Sequence, residues 1–111
     1  MLRLMIVDDE QIIREALSSM IDYTSLGYEV IATAKNGMEA YDRIRDDYPD
    51  VVITDIKMPI LNGLELIERA SRIDSRITFI LLSGYGEFEY AKQAMTYGAV
   101  SYTHLRAHET K

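Results

Sequence analysis

Val51-Val52-Ile53-Thr54-Asp55-Ile56-Lys57-Met58-Pro59 is an apolar run that ends in a carboxylate and then breaks at a proline. Far upstream, Leu4-Met5-Ile6-Val7 ends the same way, in Asp8-Asp9-Glu10. Both runs have the length and the unbroken apolar character of strands buried on two faces of a parallel sheet. In an open α/β sheet the ligand site lies in the crevice beyond the carboxyl ends of the strands. Carboxylates gathered in one crevice cannot all stay ionised unless a positive charge joins them. A hard divalent cation with oxygen ligands meets that need, and Mg²⁺ keeps room for waters and a phosphate oxygen. The acids therefore point to phosphoryl chemistry.

The rest of the chain alternates apolar runs with amphipathic stretches. Strand one is read over 2–7, and helix one over 11–22 with Ile12, Ile13, Ala16, Leu17, Met20 and Ile21 on one face. Strand two covers 28–34 and is closed by Asn36-Gly37, a turn pair that opens helix two. Helix two sets Ala40, Tyr41, Ile44 and Tyr48 on one face and stops at Pro49, which has no N–H to donate. Strand three is 51–54. Helix three begins near Asn62, where Asn62 and Glu65 have capping-box spacing, and buries Leu66, Ile67 and Ala70. Strand four is 77–82, helix four 88–97 with Phe88, Ala91 and Met95 inward and Gly98 as its cap, and 99–102 begins strand five. This rhythm predicts an α/β doubly wound sheet. Strand two is mixed (Glu29, Thr33) and suits an edge, which favours the flavodoxin-like parallel order 2-1-3-4-5. The switch point of that order lies between strands one and three, where Asp8, Asp9 and Asp55 emerge.

Bulk properties narrow the classes. A chain of 111 residues is one domain with a real core. It has no cysteine, which excludes disulfides and thiolate metal sites. No apolar run approaches the ~18 residues of a membrane span, and Met1-Leu2-Arg3 lacks a signal-peptide layout, so a cytoplasmic protein is expected. The net charge of −6 argues against nucleic-acid binding by this segment.

Three motifs in order carry a family resemblance: Ile6-Val7-Asp8-Asp9-Glu10, then Thr54-Asp55-Ile56-Lys57-Met58-Pro59 with Asn62-Gly63, then Leu82-Ser83-Gly84-Tyr85. Over roughly 2–102 the chain resembles the response-regulator receiver (CheY-like) domain of two-component signalling. Phe88-Glu89-Tyr90-Ala91 and Ile12-Ile13-Arg14-Glu15 look most like the YesN subgroup, whose members usually continue into an AraC-type DNA-binding domain. The resemblance implies that Asp55 is the phosphoacceptor, attacking a phosphohistidine on a sensor histidine kinase. It implies Mg²⁺ held by Asp8, Asp9, Asp55 and the backbone carbonyl of Lys57. It makes Ser83 the switch hydroxyl, Tyr102 the aromatic switch, and a homodimer a possible assembly. Pro59 would shape the loop and Gly63 permit close packing there.

Taken singly, these residues have plainer readings. Acids after a strand often serve only the start of a helix, a serine after a strand bonds its own turn, and a tyrosine packs in a core.

The resemblance stops at Tyr102. The family pattern continues into a Lys-Pro pair and a fifth helix, whereas Leu105 and Arg106 stand at the Lys and Pro positions. Strand five is thus expected to be incomplete and helix five missing. Residues 1–102 read as a truncated receiver and 103–111 as a disordered, unrelated tail, as if foreign coding sequence had been joined on. His104 and His108 have the spacing of a helical metal clip, but a frayed terminus accounts for them better.

Three function classes follow. The first is a phosphoacceptor switch, not an enzyme, that controls an output such as transcription. The second is a receiver-like interaction module that no longer switches. The third is a Mg²⁺-dependent aspartyl phosphohydrolase. That class typically has a second acid two residues after its nucleophile, where this chain has Lys57.

Overall fold

The computed structural model describes residues 1–82, Lys92, Gln93, Met95 and Thr96, and the backbone of Ser83 and 100–103. Five parallel strands form one sheet: β1 (Leu2–Val7), β2 (Tyr28–Ala34), β3 (Val51–Asp55), β4 (Thr78–Ser83) and β5 (Val100–Thr103). Their order is β2-β1-β3-β4-β5, the flavodoxin-like arrangement expected from the strand patterns. Helices α1 (Gln11–Ser19), α2 (Gly37–Asp47) and α3 (Gly63–Ile73) connect the first four. β5 has four residues against six in β1 and β4, in keeping with an incomplete last strand. It runs through Thr103, the first residue assigned to the tail; residues 104–111, with both histidines, lie outside the described residues. Among the described residues no helix is long and apolar enough to cross a membrane.

The central strands are apolar throughout because each serves two cores. Met5 and Val7 of β1, Val52 of β3, and Phe79 and Leu81 of β4 pack on Ala40, Ile44, Leu66, Ile67 and Ala70 of α2 and α3. Alternate residues Leu4, Ile6 and Val51 face the other way, toward Tyr23 and Leu17. The Tyr23 hydroxyl donates to the Leu17 carbonyl at 2.7 Å, and burial pushes its pKa up.

β2 holds a feature that its mixed pattern concealed. Leu4 pairs with Val30 but Met5 with Ala32, so Ile31 is an extra residue in the ladder. Side chains alternate with period two, and one inserted residue turns the rest of a strand over. Tyr28 and Val30 therefore join the smaller core while Ala32 and Ala34 join the larger.

The helices conform in part. The capping box of α3 is present in full, with Glu65 N–H donating to Asn62 and Asn62 N–H to Glu65. Asn36 caps α2 by accepting from Glu39 N–H at 2.8 Å. Helix one ends at Ser19, three residues before the expected 22, and Ile12 and Met20 are exposed at 79% and 81%. The apolar spacing there holds, but Ile13, Ala16 and Leu17 are only half-buried, and of the three Leu17 packs on the smaller core. Tyr48 also departs from its expected face. It is the C-cap of α2, left-handed at φ 49°, and that turn directs it to solvent.

Of helix four, Lys92, Gln93 and Met95 are helical and the remainder, with Gly98, lies outside the described residues. Met95 is exposed at 58%, not inward; three apolar positions at helical spacing do not fix a helix's rotation.

Candidate functional site

β1 and β3 are direct neighbours, with Val7 opposite Thr54. One residue further along each strand come Asp8 and Asp55, so the topology alone delivers both acids to adjacent strand ends. The row continues: Asp55 lies opposite Leu82, and Leu82 opposite Tyr102. Ser83 closes β4 one residue beyond that row, opposite Thr103. The side chains of Ser83 and Tyr102 lie outside the described residues.

Asp8 is buried, 4% exposed, while Asp9 and Glu10 are exposed beside it. Asp8 Oδ1 accepts from Glu10 N–H at 2.9 Å, and Asp8 N–H donates to the Ala34 carbonyl at 3.1 Å. These acids stand just ahead of α1 and not inside it: α1 has no acid in its first turn, and Glu10 at its N-cap makes no side-chain cap bond. Ligand oxygens of Asp8, Asp9 and Glu10 come within 4.8 Å of one another. Glu10, read in sequence only as part of the motif, thus belongs to the acidic group. Burial, first, and then the charges of Asp9 and Glu10 push the Asp8 carboxyl above its ordinary range; the Glu10 N–H bond and Arg14 oppose them. An all-oxygen donor set around a carboxylate so disfavoured in its charged form suits a hard divalent cation.

Asp55 is half-buried, and its Oδ1 accepts from Ile56 N–H at 2.8 Å. The loop beyond it is built by close packing. Gly63 N–H donates to the Ile56 carbonyl at 2.7 Å, and a Cβ on Gly63 would run into the Asp55 carbonyl. Gly37, at the start of α2, sits against the Leu61 backbone with no more room. In the same loop, Leu61 N–H donates to the Pro59 carbonyl at 2.8 Å around Ile60, whose φ is 73°. That is a γ-turn with positive φ on a β-branched residue, a rare conformation costing about 1–3 kcal/mol. Lys57 is exposed in this loop, two residues beyond Asp55.

The burial of Asp8 has a measurable consequence. A carboxyl whose folded pKa lies above its unfolded value holds its proton longer when folded. Stability contributed by the protonated form is therefore lost as pH rises from near the ordinary value of about 4 through the folded pKa. Asp8→Asn keeps the acceptor for Glu10 N–H and removes the charge. In metal-free buffer at pH 7 it should raise Tm, because it removes a charge that burial and its acidic neighbours disfavour. The difference from the parent should vanish near pH 3, below both pKa values. Thermal melts across that range with chelator present check it, and an equal Tm at pH 7 contradicts it.

Comparison with known proteins agrees with the geometry. The response regulator receiver domain pattern matches residues 4–104. The chain is 48% identical over 102 residues to the transcriptional regulatory protein YesN of Bacillus subtilis. That alignment takes in 92% of this chain but 28% of YesN, so the chain spans less than a third of that relative's length. Among solved structures, the REC domain of AraT, a response regulator from Geobacillus stearothermophilus, superposes with TM-score 0.86 at 35% identity, covering 92% of this chain and 79% of that one. A chain of the CheX-CheY-BeF3-Mg²⁺ complex from Borrelia burgdorferi gives 0.83 at 26%, covering 98% and 82%. Motifs, strand order and neighbours agree, and the chain belongs to the response regulator receiver domain family of two-component systems.

Proposed function

We propose that this domain takes a phosphoryl group from a sensor histidine kinase onto Asp55 and uses the modification to control an output, most simply transcription by a larger protein in the cytoplasm. The observation that carries the reading is the adjacency of Asp8 and Asp55 at neighbouring strand ends, next to the cluster of Asp8, Asp9 and Glu10. Asp55 supplies the attacking oxygen; the phosphorus–nitrogen bond of the donor phosphohistidine breaks, and the leaving imidazole keeps the electron pair and takes up a proton. Asp8, Asp9, Asp55 and the Lys57 carbonyl would hold Mg²⁺. When bound, that cation supplies charge neutralisation between two anionic reactants. Ser83, just beyond the acid row, would bond the new phosphate, and Tyr102 would respond to its movement. Modification in this scheme is stoichiometric, and regulatory output passes through a surface, with a homodimer as one form. The acidic charge of −6 fits an output exerted outside this segment's own contact with DNA.

The test is incubation of the chain with acetyl phosphate. One hydroxylamine-labile phosphoryl group per chain is expected with Mg²⁺ and none with excess chelator. Labelling indifferent to chelator contradicts the reading.

Leu105 supports a second reading, in which phosphorylation occurs but does not switch the domain. A lysine at that position would offer a charge-assisted bond to the phosphate, and a leucine cannot. Beryllofluoride with Mg²⁺ should then shift amides near Asp55 but leave Tyr102 unmoved, and restoring a Lys-Pro pair with a fifth helix should move both. Large Tyr102 shifts in the chain as it stands exclude this second reading.

A further inference from the structure

We infer that Arg14 is a positioning residue for the cation site: its guanidinium clamps the main chain at Asp8 and thereby fixes where the Asp8 and Asp9 carboxylates stand, with Glu10 beside them. The inference rests on the cation reading above and adds a residue to it. Arg14 lies in the first turn of α1, half-buried, and its Nη1 donates to the Asp8 carbonyl at 2.8 Å. Its own N–H donates to the Glu10 carbonyl at 3.0 Å. The acidic segment 8–10 is therefore held from the helix side at its first and last residues. On the sheet side Asp8 N–H is tied to Ala34, and within the segment Asp8 Oδ1 is tied to Glu10.

β1 ends at Val7, so Asp8 follows the last residue of the strand, and the Arg14 bond orients its peptide there. Rotating that peptide would swing the Asp9 and Glu10 carboxylates away from Asp8. Groups that orient metal ligands typically matter 10–100-fold in metal affinity.

Charge and positioning pull in opposite directions, which separates them by experiment. A guanidinium beside a cation site repels the cation, so a purely electrostatic role predicts tighter Mg²⁺ binding once Arg14 is neutralised. A positioning role predicts weaker binding despite the lost repulsion. It also predicts rescue by lysine, which keeps both a donor and the charge on a side chain only slightly shorter.

Calorimetric titration of the full chain with MgCl₂ is the test, comparing the parent with Arg14→Met and Arg14→Lys. Arg14→Met should bind about tenfold more weakly or worse, and Arg14→Lys should stay within about threefold of the parent. With acetyl phosphate, Arg14→Met should need more Mg²⁺ for half-maximal labelling yet reach the parent's rate at saturation. In metal-free solution its Asp9 and Glu10 amides should exchange faster with solvent. Equal or tighter binding by Arg14→Met overturns the inference, as does a loss in Arg14→Lys matching that in Arg14→Met. Should Arg14→Met not fold, Arg14→Gln is read in its place by the same limits, and a loss in Arg14→Lys beyond threefold still overturns the inference. A parent that binds no Mg²⁺ removes the cation reading and this inference together. A parent that binds, beside an indifferent Arg14→Met, removes the inference only.

Discussion

Asp55→Asn should lower phosphoryl uptake from acetyl phosphate by roughly a hundredfold or more, the scale on which removing a nucleophile acts. The amide oxygen can still accept from Ile56 N–H, as the carboxylate does at 2.8 Å, so the strand end should keep its geometry. A normal melt beside absent labelling therefore points to chemistry and not to folding. Neighbouring carboxylates offer an internal comparison. Asp9 and Glu10 are more exposed than Asp55, so an indiscriminate acyl-phosphate reaction would label them in preference. Mass spectrometry of the labelled chain after peptide cleavage locates the group. Uptake by Asp55→Asn equal to that of the parent means another residue is the acceptor.

The second large effect is expected at Gly63. A side chain there collides with the Asp55 carbonyl and the Ile56 Cα, backbone atoms that cannot step aside without moving the end of β3. Gly63→Val should cost about 3 kcal/mol, within the range for overpacking a close backbone contact. At roughly 4–8 °C per kcal/mol for a domain of this size, Tm should drop by more than about 10 °C. Gly27 serves as the comparison. It has φ 91° but nothing within 4 Å of a would-be Cβ, so Gly27→Ala carries only the conformational penalty of about 1 kcal/mol. Thermal melts of the two variants side by side separate crowding from backbone strain. Comparable losses in both would mean that the Gly63 contact relaxes easily. If the variant folds, acetyl phosphate labelling should also slow, because Asp55 rides on the atoms displaced.

Much of the site was legible because its acids announce themselves by position. A run such as Val51-Val52-Ile53-Thr54 has few alternatives to a buried parallel strand, and whatever follows it stands at the sheet's carboxyl edge. Asn62 and Glu65 marked the start of α3 because a capping box is a local device, complete within four residues. The contact of Arg14, a residue that the sequence shows only as part of a subgroup pattern, was hidden for the opposite reason. An arginine on an amphipathic helix reads as a solvated face, and only the fold shows its guanidinium turning back to the Asp8 carbonyl. Helix one shows the same limit: Ile12 has the spacing of a core residue and is exposed at 79%. Periodicity defines a stripe, but the neighbouring surface decides how much of that stripe is covered.

By itself, then, the sequence determined the order of the strands and of the first three helices, the parallel sheet with its switch point between β1 and β3, and the delivery of Asp8, Asp9 and Asp55 to one edge. Those follow from local patterning and chain connectivity, which act over a few residues or through topological rules. The tertiary structure decided what depends on contact between distant segments. It set the bulge at Ile31 that turns half of β2 over, the γ-turn at Ile60, and the close contacts of Gly37 with Leu61 and of Gly63 with Asp55. It also set the burial that raises the Asp8 pKa and brought Arg14 onto the acid loop. Each of these arises where two pieces of chain compete for the same space or share one charge, and no local window of sequence contains both pieces.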